Sequence, residues 1–79
     1  MQPAAAFGKV LRALRKRAGL SQEQLALNAD IQRNFDSLME RGINQPTIRM
    51  LFKLGKVLGM PPSAILALVE EELRSNWKE

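Results

Sequence analysis

Residues 21–41 read SQEQLALNADIQRNFDSLMER, and this stretch decides the fold. Ser21 is followed three residues later by Gln24. That S-x-x-Q spacing is a capping box, in which each residue's side chain satisfies an orphan backbone N–H at a helix start. Leu25, Ala26 and Ala29 give the helix a short inward face. Asn28–Asp30 breaks the pattern and supplies a turn. A second helix then runs roughly from Gln32 to Arg41 and stops at Gly42. It carries Gln32, Arg33, Asn34, Ser37 and Arg41, side chains of the types that hydrogen-bond base edges and phosphates.

The flanking sequence is helical on both sides. Residues 1–5 form a short lead, expected to be flexible. From Ala6 the apolar residues Phe7, Val10, Leu11 and Leu14 recur at helical spacing, and Gly19 ends the segment. Beyond Gly42, residues 43–46 form a loop, because Pro46 disfavours a helical Gln45. Thr47 is a candidate N-cap for a fourth helix with an apolar stripe of Ile48, Leu51, Phe52, Leu54, Val57 and Leu58. Pro61 and Pro62 suit the entry to a fifth helix, since proline is tolerated in a first turn. Ile65, Leu66, Leu68, Val69 and Leu73 follow at helical spacing. No segment alternates with period two, so the expected fold is an all-α, compact five-helix bundle.

Seventy-nine residues suffice for one domain with a small core. The net charge is +4, and its distribution is uneven. Residues 1–56 hold ten Lys/Arg against four Asp/Glu, whereas residues 57–79 hold two against four. The first part suits phosphates and the acidic end does not. There is no Cys and no His, which removes disulfides, thiolate chemistry, the commonest metal ligand and the usual neutral-pH acid/base. No cofactor, metal or small-molecule ligand is called for. No apolar run approaches the roughly 18–20 residues of a membrane span. No secretory signal opens the chain, and a cytoplasmic location is expected. The carboxylates Glu23, Asp36 and Glu40 form no evident acid/base pair, which argues against an enzyme.

Two short helices joined by a tight turn, in a basic chain, predict a helix-turn-helix unit that binds DNA. The wider sequence resembles the phage-repressor-like helix-turn-helix family, of Cro and lambda-repressor type, also called Xre-type regulators. The resemblance rests on LRALRKRAGLSQEQLA at 11–26, MERG at 39–42, QPT at 45–47 and LFKLGKVLGM at 51–60, in order and at matching spacing. It covers about residues 7–68, with the domain itself at 6–68. It implies a five-helix bundle whose third helix enters the major groove of double-stranded DNA. Carried over by position, Gln32, Arg33, Asn34 and Ser37 match base- and phosphate-facing positions, and Leu38 shares their face. Gln22 matches a residue that touches the DNA backbone or braces the recognition helix. Arg41, Asn44 and Thr47 match the loop lying along phosphates. Arg15 and Glu40 match an ion pair tying helix one to the end of helix three.

Two features need the tertiary structure. First, Ile31, Phe35 and Leu38 form an i, i+4, i+7 stripe that could be plain core, whereas the resemblance points Ile31, residue 36 and Met39 inward. Residue 36 is then Asp36 where relatives usually have Val or Ile. Either helix three is rotated with Phe35 inward, or Asp36 finds a basic partner, or it is an introduced residue that weakens the domain. Asp30 also departs from the usual Gly, though Asp tolerates the left-handed backbone better than most residues. Second, Leu66, Val69, Leu73 and Trp77 form a seam along an extended C-terminal helix, 62–79. It packs on the monomer's own core or, as favoured here, forms a homodimer interface. Lys9, Arg12, Lys16 and Arg17 are open in the same way, as a solvated face or as a surface that steers DNA.

The leading expectation is a sequence-specific transcriptional regulator, a repressor and in simple relatives often autoregulatory. It would bind a near-palindromic operator as a homodimer, with recognition helices about one DNA turn apart. Activation is open as well, as in the controller proteins of restriction–modification systems. The alternative is a protein-interaction adaptor or antitoxin-like module with little specific DNA binding.

Overall fold

In the computed structural model, which describes residues 1–76, the chain folds as five helices with no strand among them. They are α1 (Pro3–Arg17), α2 (Gln22–Ala29), α3 (Arg33–Glu40), α4 (Ile48–Leu58) and α5 (Pro62–Ser75). Helix α1 starts at Pro3, inside the segment expected to be a flexible lead. Proline pre-sets the helical φ at this first position and gives up a donor that would be unpaired anyway. Arg15, Lys16 and Arg17 fall in its last turn, where cations suit the helix dipole. The chain leaves α1 through Gly19 at φ 74°, and Leu20 folds back, its N–H donating to the Arg15 carbonyl at 3.1 Å.

The core draws on every helix. Ala6, Phe7, Val10, Leu11 and Leu14 come from α1, and Leu25 and Ala29 from α2. Met39 comes from α3, Leu51 and Leu54 from α4, and Ile65 and Val69 from α5. Helix α1 is the central strut, with α3 on one flank and α5 on the other. Its contact with α3 is close because residue 8 is glycine. A Cβ there would lie 2.5 Å from the Met39 carbonyl oxygen and 2.7 Å from that of Glu40.

The expected stripe on α4 is only partly inward. Leu51 and Leu54 are buried, but Ile48 is 71% and Phe52 62% exposed. Six apolar residues span more of the helix circumference than a core can cover, and these two fall on the uncovered flank. No single helix among the described residues is long and apolar enough to cross a membrane.

Candidate nucleic-acid interface

The turn between α2 and α3 is built as its sequence suggests. Ser21 Oγ accepts from the Gln24 N–H at 3.0 Å, and Gln24 Oε1 accepts from the Ser21 N–H at 2.9 Å. Asp30 closes α2 in the left-handed region, φ 57° and ψ 51°. Lys53 of α4 braces this corner: its Nζ donates to the Asp30 carbonyl at 3.2 Å and lies 3.8 Å from the Asp30 carboxylate. The corner sets the angle at which α3 leaves α2.

The register of α3 follows the family pattern. Asp36 and Met39 are completely buried, whereas Phe35 and Leu38 are half-buried. A rotated helix with Phe35 fully inward is therefore ruled out. Asn34, Ser37, Leu38 and Arg41 fall on the side away from Asp36 and Met39, and Arg33 flanks that face one turn before Asp36. Arg33, Asn34 and Arg41 are exposed, and Ser37 is half-buried between them. Gln32 is exposed too but stands apart. As the N-cap of α3 it borders a shallow pocket with Asp30, Ile31, Phe35, Met50 and Lys53, on the α4 side.

Past α3 the chain is held near the same edge. The Ile43 and Asn44 N–H groups both donate to the Leu38 carbonyl, at 2.9 and 3.3 Å. Asn44 is half-buried. Thr47 is exposed and caps α4, its Oγ1 accepting from the Met50 N–H at 3.1 Å.

One polar cluster pins α3 from behind. Arg15 Nε donates to Glu40 Oε2 at 2.7 Å and Nη2 donates to Oε1 at 3.0 Å. Arg15 Nη1 reaches the Leu20 carbonyl at 2.9 Å. Gln22 Nε2 adds a third donor to Glu40 at 3.1 Å, so Gln22 braces the end of α3. The Glu40 bond raises the Arg15 pKa above its ordinary value, outweighing burial. Burial alone would raise the Glu40 pKa. The hydrogen bonds from Arg15 and Gln22, with the Arg15 charge, outweigh it, and the net shift is downward.

Asp36, one turn before Glu40, has no such partners. Neither carboxylate oxygen receives a hydrogen bond, so a paired aspartate is also excluded. Burial pushes its pKa up to about 7. The adjacent Glu40 carboxylate adds to this; Arg15 and Arg33 pull the other way. The side chain is thus a buried acid with no hydrogen-bond partner, beside a second carboxylate.

The C-terminal seam is not one exposed stripe. Val69 is buried in the chain's own core and Leu73 is half-buried against it. Only Leu66, at 43%, is exposed, and Trp77 lies outside the described residues. Helix α5 lies along α1 and α4, so much of a three-four spaced seam is absorbed by the monomer. What sequence reasoning missed is the exposed pair Ile48 and Phe52, one turn apart on α4. The signal was available: α4 has more apolar residues than one buried face can use.

A family model described as "Helix-turn-helix" matches residues 11–65. Control protein C.BamHI of Bacillus amyloliquefaciens is 34% identical over 61 residues, 76% of this chain and 75% of that protein. Among solved structures, the restriction-modification controller protein C.AhdI from Aeromonas hydrophila superposes with a TM-score of 0.76 at 34% identity. It covers 78% of this chain and 94% of that one. The controller protein C.Esp1396I, a tetramer in complex with its natural 35 base-pair operator, superposes with a TM-score of 0.82 at 23% identity. It covers 94% of this chain and 97% of that one. On these matches and this geometry, the chain belongs to the helix-turn-helix family of DNA-binding transcription regulators, in its Xre-type, phage-repressor-like branch.

Proposed function

We propose that this chain is a controller-type regulator that binds a near-palindromic operator as a homodimer and represses transcription there, its own gene included. One observation carries the reading: a braced α3 presents Arg33, Asn34, Ser37 and Arg41 on a single outward face. Arg suits guanine and Asn suits adenine, each bidentate pair giving about 1–3 kcal/mol of discrimination. Leu38 beside them suits a thymine methyl. Gln32 reaches the DNA from the turn, and Arg41, Asn44 and Thr47 follow the phosphates. The α2 N-terminus, with Gln22, offers free backbone N–H groups to another phosphate. The likeness to restriction-modification controllers, one of them solved on its operator, supports the same reading.

The dimer contact is assigned to Leu66 together with Ile48 and Phe52. Leu66 lines a groove between α5, the start of α1 and the loop before α4, with Pro3, Phe7, Pro46 and Leu51, and Ile48 and Phe52 are exposed on α4. A twofold axis there would set two α3 helices about 34 Å apart, one DNA turn.

The test is selection of bound sequences from a random duplex pool, followed by titration of the winner at several salt concentrations. The expected result is an enriched palindrome with half-sites about one turn apart. Weak binding without enrichment would favour an adaptor role for the fold.

A further inference from the structure

Helix α1 carries five cations, Lys9, Arg12, Arg15, Lys16 and Arg17, and no acid. Two are committed inside the molecule. Arg15 holds Glu40, and Lys9 Nζ lies 3.3 Å from Glu72 of α5. Arg12 and Lys16 are exposed, and among the described residues neither forms an ion pair or a side-chain hydrogen bond. They are one turn apart and share a face.

The neighbours of α1 fix where that face lies. Gly8 and Arg15 point to α3, against the Met39 and Glu40 carbonyls and the Glu40 carboxylate. Val10, Leu14 and Arg17 point to α5, lining a groove with Leu68, Glu71 and Glu72. By helical spacing, Arg12 lies just beyond the α3 edge, and Lys16 lies between it and the line of Lys9, whose charge already meets Glu72. At the start of α1 this flank meets the loop after α3, where a Cβ on Gly42 would sit 3.0 Å from the Ala5 Cα. At the end of α1 the chain turns through Gly19 and Leu20 into Ser21 and Gln22, the start of α2. The flank therefore runs between the two segments assigned to phosphates above.

We infer that Arg12 and Lys16 form an auxiliary phosphate-binding surface that holds the DNA backbone beside the bases faced by α3. The inference rests on the DNA-binding reading. Charge complementarity and continuity with the α2 N-terminus and the 41–44 loop select a nucleic-acid backbone as the occupant. Such contacts carry no base information; they add affinity through counterion release and fix register on the duplex.

The experiment compares an Arg12→Gln/Lys16→Gln double variant with a Lys56→Gln/Arg74→Gln control, which removes equal charge from α4 and α5. Each is titrated against the operator enriched by the wild-type chain, over a range of salt. Helix content and melting temperature are measured alongside, and these exposed changes should leave both intact. For the α1 variant, affinity should fall on the order of tenfold at low salt and the salt slope should become shallower by about two. Its order of preference among sequences should not change, and the control should keep its slope. An unchanged slope in the α1 variant, or an equal loss in the control, overturns the inference while leaving the operator reading in place. A wild-type chain that enriches no sequence removes the DNA reading, and this surface with it.

Discussion

Asp36 is the residue whose chemistry departs furthest from its surroundings. It is fully buried, unpartnered, and next to a second carboxylate. Its pKa is 3.8 ordinarily and about 7 in the fold. Between those values the folded chain keeps a proton that the unfolded chain releases, so stability falls as pH rises through this window. Glu40 works in the opposite sense. Its folded pKa is lowered, so its contribution is present above its ordinary value and is lost as pH falls through the depressed one. Above the ordinary Glu40 value of 4.5 only the Asp36 effect still changes, so stability falls from there to about pH 7. Thermal melts should show a higher Tm near pH 5.5 than near pH 8. Asp36→Val should abolish that difference and stabilise the domain at pH 8 by about 2–4 kcal/mol, or roughly 10 °C or more. Identical melting temperatures for parent and variant at pH 8 would contradict the burial of this side chain.

At the scale of elements, the placement of α3 depends on contacts that its own sequence does not contain. Gly8 looks like a weak point in a helix, costing about 1 kcal/mol relative to alanine. In the fold its missing Cβ is what lets α3 reach α1. Gly8→Ala should therefore destabilise, by about 1–3 kcal/mol, instead of strengthening α1. Chemical denaturation decides the sign. The Arg15–Glu40 pair supports the same junction, with side chains only 10% and 3% exposed. Glu40→Ala leaves a buried guanidinium unpaired and should cost about 3–5 kcal/mol, with loss of operator binding under conditions where the parent is folded. The turn offers a contrasting case. Asp30 holds a left-handed backbone that glycine adopts without strain. Asp30→Gly should stabilise by up to about 1 kcal/mol, unless the Lys53 contacts to this corner matter more; a melting comparison with Lys53→Ala separates the two.

For the whole molecule, the decisive quantity is where charge and apolar surface are left uncovered. Cations gather on α1, with Arg33 and Arg41 at the two ends of α3 and three more on α4, whereas the Glu70–Glu72 run sits on α5. That polarity would orient the molecule toward a polyanion before contact. Of the exposed apolar side chains, Leu27 lies on α2 and Ile43 in the loop after α3, whereas Ile48, Phe52 and Leu66 lie on α4 and α5. If they form the dimer contact, Phe52→Glu should yield a monomer in sedimentation at tens of micromolar and weaken operator binding, while leaving the monomer fold intact. A parent chain that sediments as a monomer at that concentration would count against the assignment.

The sequence by itself determined the number and order of helices, the capping box, the turn at Asp30 and the family. These are local properties: caps, breakers and periodicity act within a few residues, and matching motifs preserve their spacing. It also brought the outward residues of α3 into view, because one buried face implies the opposite one. Only the tertiary structure decided between the two stripes on α3, one through Phe35 and one through Asp36. Both fit helical periodicity, and the choice depends on how closely α1 and α2 approach. The same holds for the fates of Val69, Ile48 and Phe52. An apolar residue on an amphipathic helix is buried or exposed according to how much of that helix its neighbours cover, and that is a property of the packed molecule.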